Sequence, residues 1–182
     1  MRRLIVLVLF ASVGAASASA RMFAFQPPHR VRRSQAHLDR QLERQVVAEL
    51  RNAPIAADVP GAIRFALDAT GRALHFSLAH KTSMYFGTAE RAGNCIEYAN
   101  LFAALFELTA HELKLPASAY AVHSSSAKLL ATRLPFRGWR DHDWVLVEDQ
   151  QGKRWFVDPT LADAGLGWNI QDNVDGEVPE PR

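Results

Sequence analysis

Gly93-Asn94-Cys95-Ile96-Glu97-Tyr98-Ala99 marks the point where the chain changes character. Gly93 and Asn94 are poor inside a helix and good at its boundary. From Ile96 to Leu115 the chain is rich in Leu, Phe and Ala and holds neither Gly nor Pro. The stretch predicts a helix of about five turns that begins at Cys95 and stops before Pro116. Its apolar residues run nearly all round, with Leu101, Phe102, Leu105 and Phe106 on different sides. Only a strip near Glu107, His111 and Lys114 is polar, so the helix is expected to be buried. Beyond it the period changes to two. Ala117–Ser124, His142–Asp149 and Lys153–Asp158 read as strands, the last two joined as a hairpin through Gln150-Gln151-Gly152. Upstream, Leu38, Leu42, Val46 and Leu50 give an amphipathic helix over His37–Asn52. Asp58 and Pro60 then open a second helix with Ile63, Ala66, Leu67, Leu74 and Leu78 near one face. Phe65 falls off that face, and Gly71 is a weak point in the helix. Helices first and strands later predict an α+β domain.

Cys95 is the only cysteine. The first turn of a helix has unpaired N–H groups and the positive end of the macrodipole, and both favour a thiolate. The same N–H groups suit an oxyanion formed by attack. The Cys95 amide, Asn94 and Tyr85 are the candidate donors. A free cysteine is otherwise most often a small buried hydrophobe. His142, at the start of a strand, is a candidate base, and Asp158, at the end of the next, is a candidate partner for it. Each has a plainer reading, His142 as a surface histidine and Asp158 as a turn opener before Pro159. A metal site at Asp141-His142-Asp143 is disfavoured, because the two carboxylates point to the strand face opposite the histidine. No metal and no cofactor is expected. His75 and His80 read as helix-surface or capping histidines, and Lys81–Ala92 as a loop that delivers Cys95.

The chain begins with Met1-Arg2-Arg3, an apolar run from Leu4 to Phe10 and small residues to Ala20. That is the pattern of a signal peptide, 1–20, cleaved after Ala20, and it is too short for a comfortable membrane span. The expected location is periplasmic or secreted, with no stable membrane anchor. Removing 1–20 takes Lys+Arg from 21 to 19 against 19 Asp+Glu, so the mature chain is formally neutral. Bulk attraction to nucleic acid is not expected. Residues 21–36 read as an extended, mobile lead-in, and 37–182 as one domain.

Taken together, Gly93-x-Cys95-x-Glu97-Tyr98-Ala99, His142-x-Trp144-Val145 and Gly152-x-x-Trp155-Phe156-Val157-Asp158-Pro159 resemble the transglutaminase-like superfamily, a branch of the papain-like fold. The resemblance covers about residues 61–162. It implies a cysteine at a helix N-terminus packed on an antiparallel sheet, with Cys95 as nucleophile, His142 as general base and then acid, and Asp158 as the group that orients His142. The implied activity is cleavage or transfer of an amide or isopeptide bond in a protein or peptide, with hydrolysis preferred to transamidation. A non-catalytic binding module on the same fold is the competing reading. Asp143 departs from the family, which usually has a small residue there. Arylamine acetyltransferases share the Cys-x-Glu, His, Asp order but resemble this chain less, and no acidic loop suggests calcium.

Two further expectations concern geometry. The stretch from Ala127 to Asp141 enters the base strand, and its Leu134, Phe136 and Trp139 are expected to wall the substrate site. Trp139, Asp143 and Trp144 are the candidate substrate contacts. In the hairpin, His142 and Asp158 meet only if they share a sheet face. A three-residue loop pairs Asp149 with Lys153 and puts Asp158 opposite Trp144, on the His142 face, whereas a two-residue loop puts it on the other. The sequence therefore predicts a three-residue loop with Gly152 at positive φ.

Overall fold

The computed structural model describes residues 23–26, 28–129, 132–133 and 141–181. The predicted signal peptide and Leu134, Phe136 and Trp139 lie outside them. In chain order the elements are strands β1 (Phe23–Phe25), β2 (Pro28–Arg32) and β3 (His37–Leu38), then helices α1 (Arg40–Asn52) and α2 (Val59–Ala73). Strands β4 (Leu74–Phe76), β5 (Tyr85–Phe86) and β6 (Arg91–Gly93) lead into helix α3 (Cys95–Glu112). Strands β7 (Ala117–Ser124), β8 (Ala127–Leu129), β9 (Thr132–Arg133), β10 (His142–Asp149) and β11 (Arg154–Val157) follow, then the short helix α4 (Pro159–Asp163) and a 3-10 turn at Gln171–Asn173. The architecture is mixed, with four helices, two antiparallel sheets and two short parallel strand pairs among the described residues, which is compatible with an α+β fold.

The main sheet has four antiparallel strands in the order β11-β10-β7-β2. Helix α3 packs on β7 and β10 and is itself flanked by α1, α2 and α4. Leu101, Phe102, Leu105 and Phe106 are all fully buried, which is what a helix apolar on every side demands. The opposite sheet face is covered as well. Trp144, Leu146 and Phe156 pack there with Phe25, Ile170 and Val174. Burial on both faces explains why Trp144-Val145-Leu146-Val147 is apolar without alternation.

The second helix starts at the predicted Asp58 cap, but the first is shorter than read: His37–Leu38 pair as β3 with β5, and α1 begins at Arg40 behind the cap Asp39. Asp39 accepts from Leu42 N at 2.7 Å and Asp58 from Gly61 N at 2.7 Å. Two expectations for the second helix are corrected. Phe65 is buried, because α2 has neighbours in both α3 and α4 and its covered face is wider than one stripe. Leu74 and Leu78 are not helical. The parallel pairing of β4 with β6 takes the chain at Leu74, whose side chain packs against Gly93. A Cβ at Gly93 would lie 3.1 Å from the Leu74 methyl carbons.

The lead-in is extended, as read, but it is built into the structure rather than loose. β2 is the edge strand beside β7, where Pro28 at the strand start forfeits no needed donor. Arg33 reaches Glu107 on α3 at 2.9 Å, and Gln35 N donates to the buried Asn100 Oδ1 at 2.9 Å. The helix thus supplies side-chain partners to the strap that crosses it.

The hairpin has the predicted register. Val145 pairs with Val157 and Glu148 with Arg154, which sets Asp149 opposite Lys153 across a three-residue loop. Asp149 N donates to Lys153 O at 3.1 Å, and Gly152 has φ +76°. Nothing lies within 4 Å of a Cβ built on Gly152, so any cost of a side chain there is backbone cost alone. Gly152→Ala is expected to lower stability by about 1–2 kcal/mol, read as a reduced urea midpoint with an unchanged m value.

Candidate active site

Cys95 is the first residue of α3, half-buried, directly after the cap residue Asn94. Asn94 Oδ1 accepts from Ile96 N at 3.0 Å and Glu97 N at 3.4 Å, and Glu97 Oε2 accepts from Asn94 N at 3.1 Å. This reciprocal capping box fixes the entry angle of the chain at the cysteine. The Cys95 N–H, being the first of the helix, has no intrahelical acceptor.

Glu97 is fully buried and does more than cap. Its Oε1 accepts from Arg91 Nη1 at 2.6 Å and from Ser83 N at 3.0 Å, and its Oε2 also accepts from His80 Nε2–H. Burial alone would push its pKa up, but the Arg91 guanidinium, Ser83 N–H, His80 and Asn94 N–H outweigh it, and the carboxyl is held below its ordinary range. His80 is therefore not a helix-surface histidine. It ties the segment between β4 and β5 to the start of α3. His75, on β4, pairs with Glu90 at 3.2 Å and is exposed.

His142 opens β10 and Asp158 follows β11 directly. His142 Nε2–H donates to Asp158 Oδ2 at 2.6 Å, and Cys95 lies close enough to His142 to act on its ionisation. Since Asp158 holds Nε2, the ring nitrogen left for the thiol is Nδ1. Burial would lower the His142 pKa, but the charge and hydrogen bond of Asp158, with a further contribution from Cys95, raise it well above the ordinary histidine value. Asp158 is fully buried, and its other oxygen accepts from Thr160 N and Leu161 N at 3.0 Å each. The plain reading of Asp158 as a turn opener and its role as the partner of His142 both hold, one oxygen for each.

Several site residues fall elsewhere than expected. Trp144 is fully buried, with Nε1–H donating to Ser124 Oγ at 2.9 Å and its ring against Phe156, so it is a core residue with no surface for a substrate. Asp143 is 5 % exposed and faces His123, whose Nδ1 lies 3.2 Å from Asp143 Oδ1. Burial raises its pKa, with His123 the first of the charges opposing that rise. Alternation along β10 turns it from His142, so it is not presented beside the base. Asn94 Nδ2 goes to Thr82 Oγ1 at 3.3 Å. Tyr85 is exposed, its ring stacked on His37 and its N–H directed to Ser83 Oγ. These contacts engage the Asn94 side chain, whereas the Cys95 amide and the exposed Tyr85 hydroxyl are not used by them. Trp139 lies outside the described residues. Among the described residues no group of three or more His, Cys, Asp or Glu is arranged to hold a metal ion.

The sequence reading missed two participants. Phe25, from the lead-in, stacks on the His142 ring with centroids 4.9 Å apart and planes 17° off parallel, and it is 2 % exposed. Arg91 lies beneath the site on Glu97, with its guanidinium 4.4 Å from the Phe86 ring centroid. A signal for Arg91 existed in its closeness to Cys95 and Glu97. None existed for Phe25, which is 117 positions from His142.

No family model matches the chain, and no similar characterised protein or solved structure was found.

Two outcomes follow from these contacts. Glu97→Ala strands Arg91 and His80 beside a cavity and should cost about 3 kcal/mol or more, seen in urea unfolding at pH 7. Because the folded-state pKa of Glu97 is depressed, its stabilisation is present above the unfolded value and is lost as pH falls through the folded one, so Glu97→Ala should lose less stability than wild type on acidification. For His142 the sign is opposite. Its raised pKa stabilises the fold below the ordinary histidine value, and that contribution disappears as pH rises through the folded pKa. Asp158→Asn removes the main charge that raises it, so a nuclear magnetic resonance titration should show His142 losing its proton at lower pH than in wild type.

Proposed function

We propose that this protein is an exported thiol enzyme, transglutaminase-like with a papain-like arrangement of its core, that attacks an amide or isopeptide carbonyl with Cys95 through an acyl-enzyme. The observation that carries the reading is the His142–Asp158 hydrogen bond at 2.6 Å with Cys95 close to His142, the thiol at a helix start, His142 opening β10 and Asp158 directly after β11. A binding module has no use for all three groups in that order.

In this reaction His142 takes the thiol proton and Cys95 Sγ attacks the carbonyl carbon. A C–S bond forms and the carbonyl π pair moves to oxygen, where the Cys95 N–H receives it. The imidazolium gives its proton to the amide nitrogen, the C–N bond breaks and the amine leaves. Water, deprotonated by His142, then attacks the thioester, sulfur departs and a carboxylic acid is released. An amine in place of water would give transamidation from the same groups, and hydrolysis is the preferred reading. Asp158 keeps the ring oriented and its charge favoured throughout. Phe25 keeps water from one ring face. The substrate is a protein or peptide outside the cytoplasm, either periplasmic or secreted, in keeping with the signal-like residues 1–20. No described helix is long and apolar enough to cross a membrane.

Alkylation by iodoacetamide, followed by mass spectrometry, tests the core of this reading. Cys95 should react faster than free cysteine at pH 6–7, and His142→Ala should slow it by about a hundredfold. A Cys95 no more reactive than a small-molecule thiol would refute the enzyme.

A further inference from the structure

Tyr98 is fully buried on α3, three residues after Cys95. A phenylalanine would fill almost the same space, and a buried hydroxyl is costly unless it is bonded. Here it is bonded. Tyr98 Oη–H lies 2.7 Å from Asp163 Oδ2 and 3.2 Å from Leu74 O. The hydroxyl has one proton, and the nearer, charged acceptor takes it. Burial and the Asp163 carboxylate hold the phenol well above its ordinary pKa, so it remains a donor through the neutral range.

Asp163 is the last residue of α4, the short helix whose first amides hold Asp158. It is exposed, and α4 packs on both α2 and α3. Gly71 of α2 borders the carboxylate. A Cβ at Gly71 would lie 3.2 Å from Asp163 Oδ1. Glycine is a poor residue inside a helix, and here the missing side chain leaves the carboxylate room.

The bond joins the two halves of the site. Cys95 and Tyr98 are about 4.5 Å apart along one helix axis. Asp158 and Asp163 stand at the two ends of another, about 7.5 Å long. A ring of contacts runs from Cys95 along α3 to Tyr98, across to Asp163 and back along α4 to Asp158. It then crosses to His142, which lies 2.6 Å from Asp158 and close to Cys95. Tyr98 and Asp163 are 65 positions apart in sequence, so connectivity does not set the spacing of α3 and α4.

We propose that the Tyr98–Asp163 hydrogen bond is a brace that holds Cys95 in position against His142, which makes Tyr98 and Asp163 positioning residues for the thiol reaction. The proposal rests on the thiol-enzyme reading above and adds to it the pair that keeps α3 and α4 in step.

Iodoacetamide alkylation of Cys95 in the full mature chain, followed by mass spectrometry across a range of pH, tests it. At about pH 6 an unassisted thiol is almost wholly protonated. There Tyr98→Phe and Asp163→Ala should each slow alkylation about tenfold. At about pH 9, where a thiol ionises without help, the rates should converge on that of wild type. Combining the two changes should slow the reaction no further than either alone, because both remove the same bond. Asp163→Asn keeps an acceptor for the hydroxyl and should retain most of the wild-type rate. Urea unfolding checks that each variant is folded where its rate is read. Should Tyr98→Phe fail to fold, Asp163→Ala, at an exposed position, carries the test. Folded variants that lose stability yet keep the wild-type rate at about pH 6, or an Asp163→Asn as slow as Asp163→Ala, overturn the brace and leave Cys95 a nucleophile. If wild-type Cys95 reacts no faster than free cysteine, the enzyme reading falls and the brace with it.

Discussion

The Asp158 carboxylate is the constraint on which the rest of the site depends. A fully buried carboxylate persists as an ion only when its oxygens are filled with donors. Here three donors converge on it, two amides of α4 at 3.0 Å and the His142 ring at 2.6 Å. The first two fix the end of β11 and the start of α4. The third fixes the start of β10. One side chain therefore locks the open end of the hairpin, and the hairpin loop at Gly152 locks the other by setting the register. A slip of one residue anywhere between would turn Asp158 to the wrong face.

A second buried carboxylate does the corresponding work on the cysteine side. Glu97 sits in the first turn of α3, where the macrodipole welcomes a negative charge, and Arg91 and His80 meet it there. The consequence is positional more than electrostatic. The amide of Asn94, the segment carrying His80 and Ser83, and the strand carrying Arg91 are gathered on two oxygen atoms. The cysteine follows the residue they hold most firmly. Two carboxylates, one beside the start of the helix that carries Cys95 and one holding His142, each enclosed by its own donors, thus fix the two sides of the site.

These sides are joined by packing on both sheet faces. Helix α3 covers one, and the second core of Trp144, Leu146 and Phe156 lies on the other beneath the two chain ends. Asp175 N donates to Phe25 O at 2.8 Å, so the N-terminal strand and the C-terminal segment close over that face together. Phe25 then places its ring on His142. The environment that keeps the imidazole dry comes from a part of the chain with no chemistry of its own.

What the residues determine by themselves is local or set by parity. The helix start at Cys95 is written in Gly93, Asn94 and Glu97. The caps of α1 and α2 are written in Asp39 and Asp58. The shared face of His142 and Asp158 follows from alternation and from a glycine suited to positive φ. The union of Cys95, His142 and Asp158 was legible in their order and flanking residues. Other features had no such signature. Trp144 and Asp143 read as available beside a reactive histidine, yet a sheet covered on both faces makes neighbours of His142 into core. Leu74 and Leu78 continue a helical stripe, yet pairing of β4 with β6 makes the first a strand residue under Gly93 and puts the second beyond the strand. His80 gains its partner from Glu97, 17 residues on, and Phe25 reaches His142 from the far end of the chain. Short-range hydrogen bonds and alternation act through the backbone within a few residues, so the sequence alone decides them. Which surfaces are covered, and which distant ring or charge completes a site, depends on how separate elements pack, and that is settled only when the whole chain has folded.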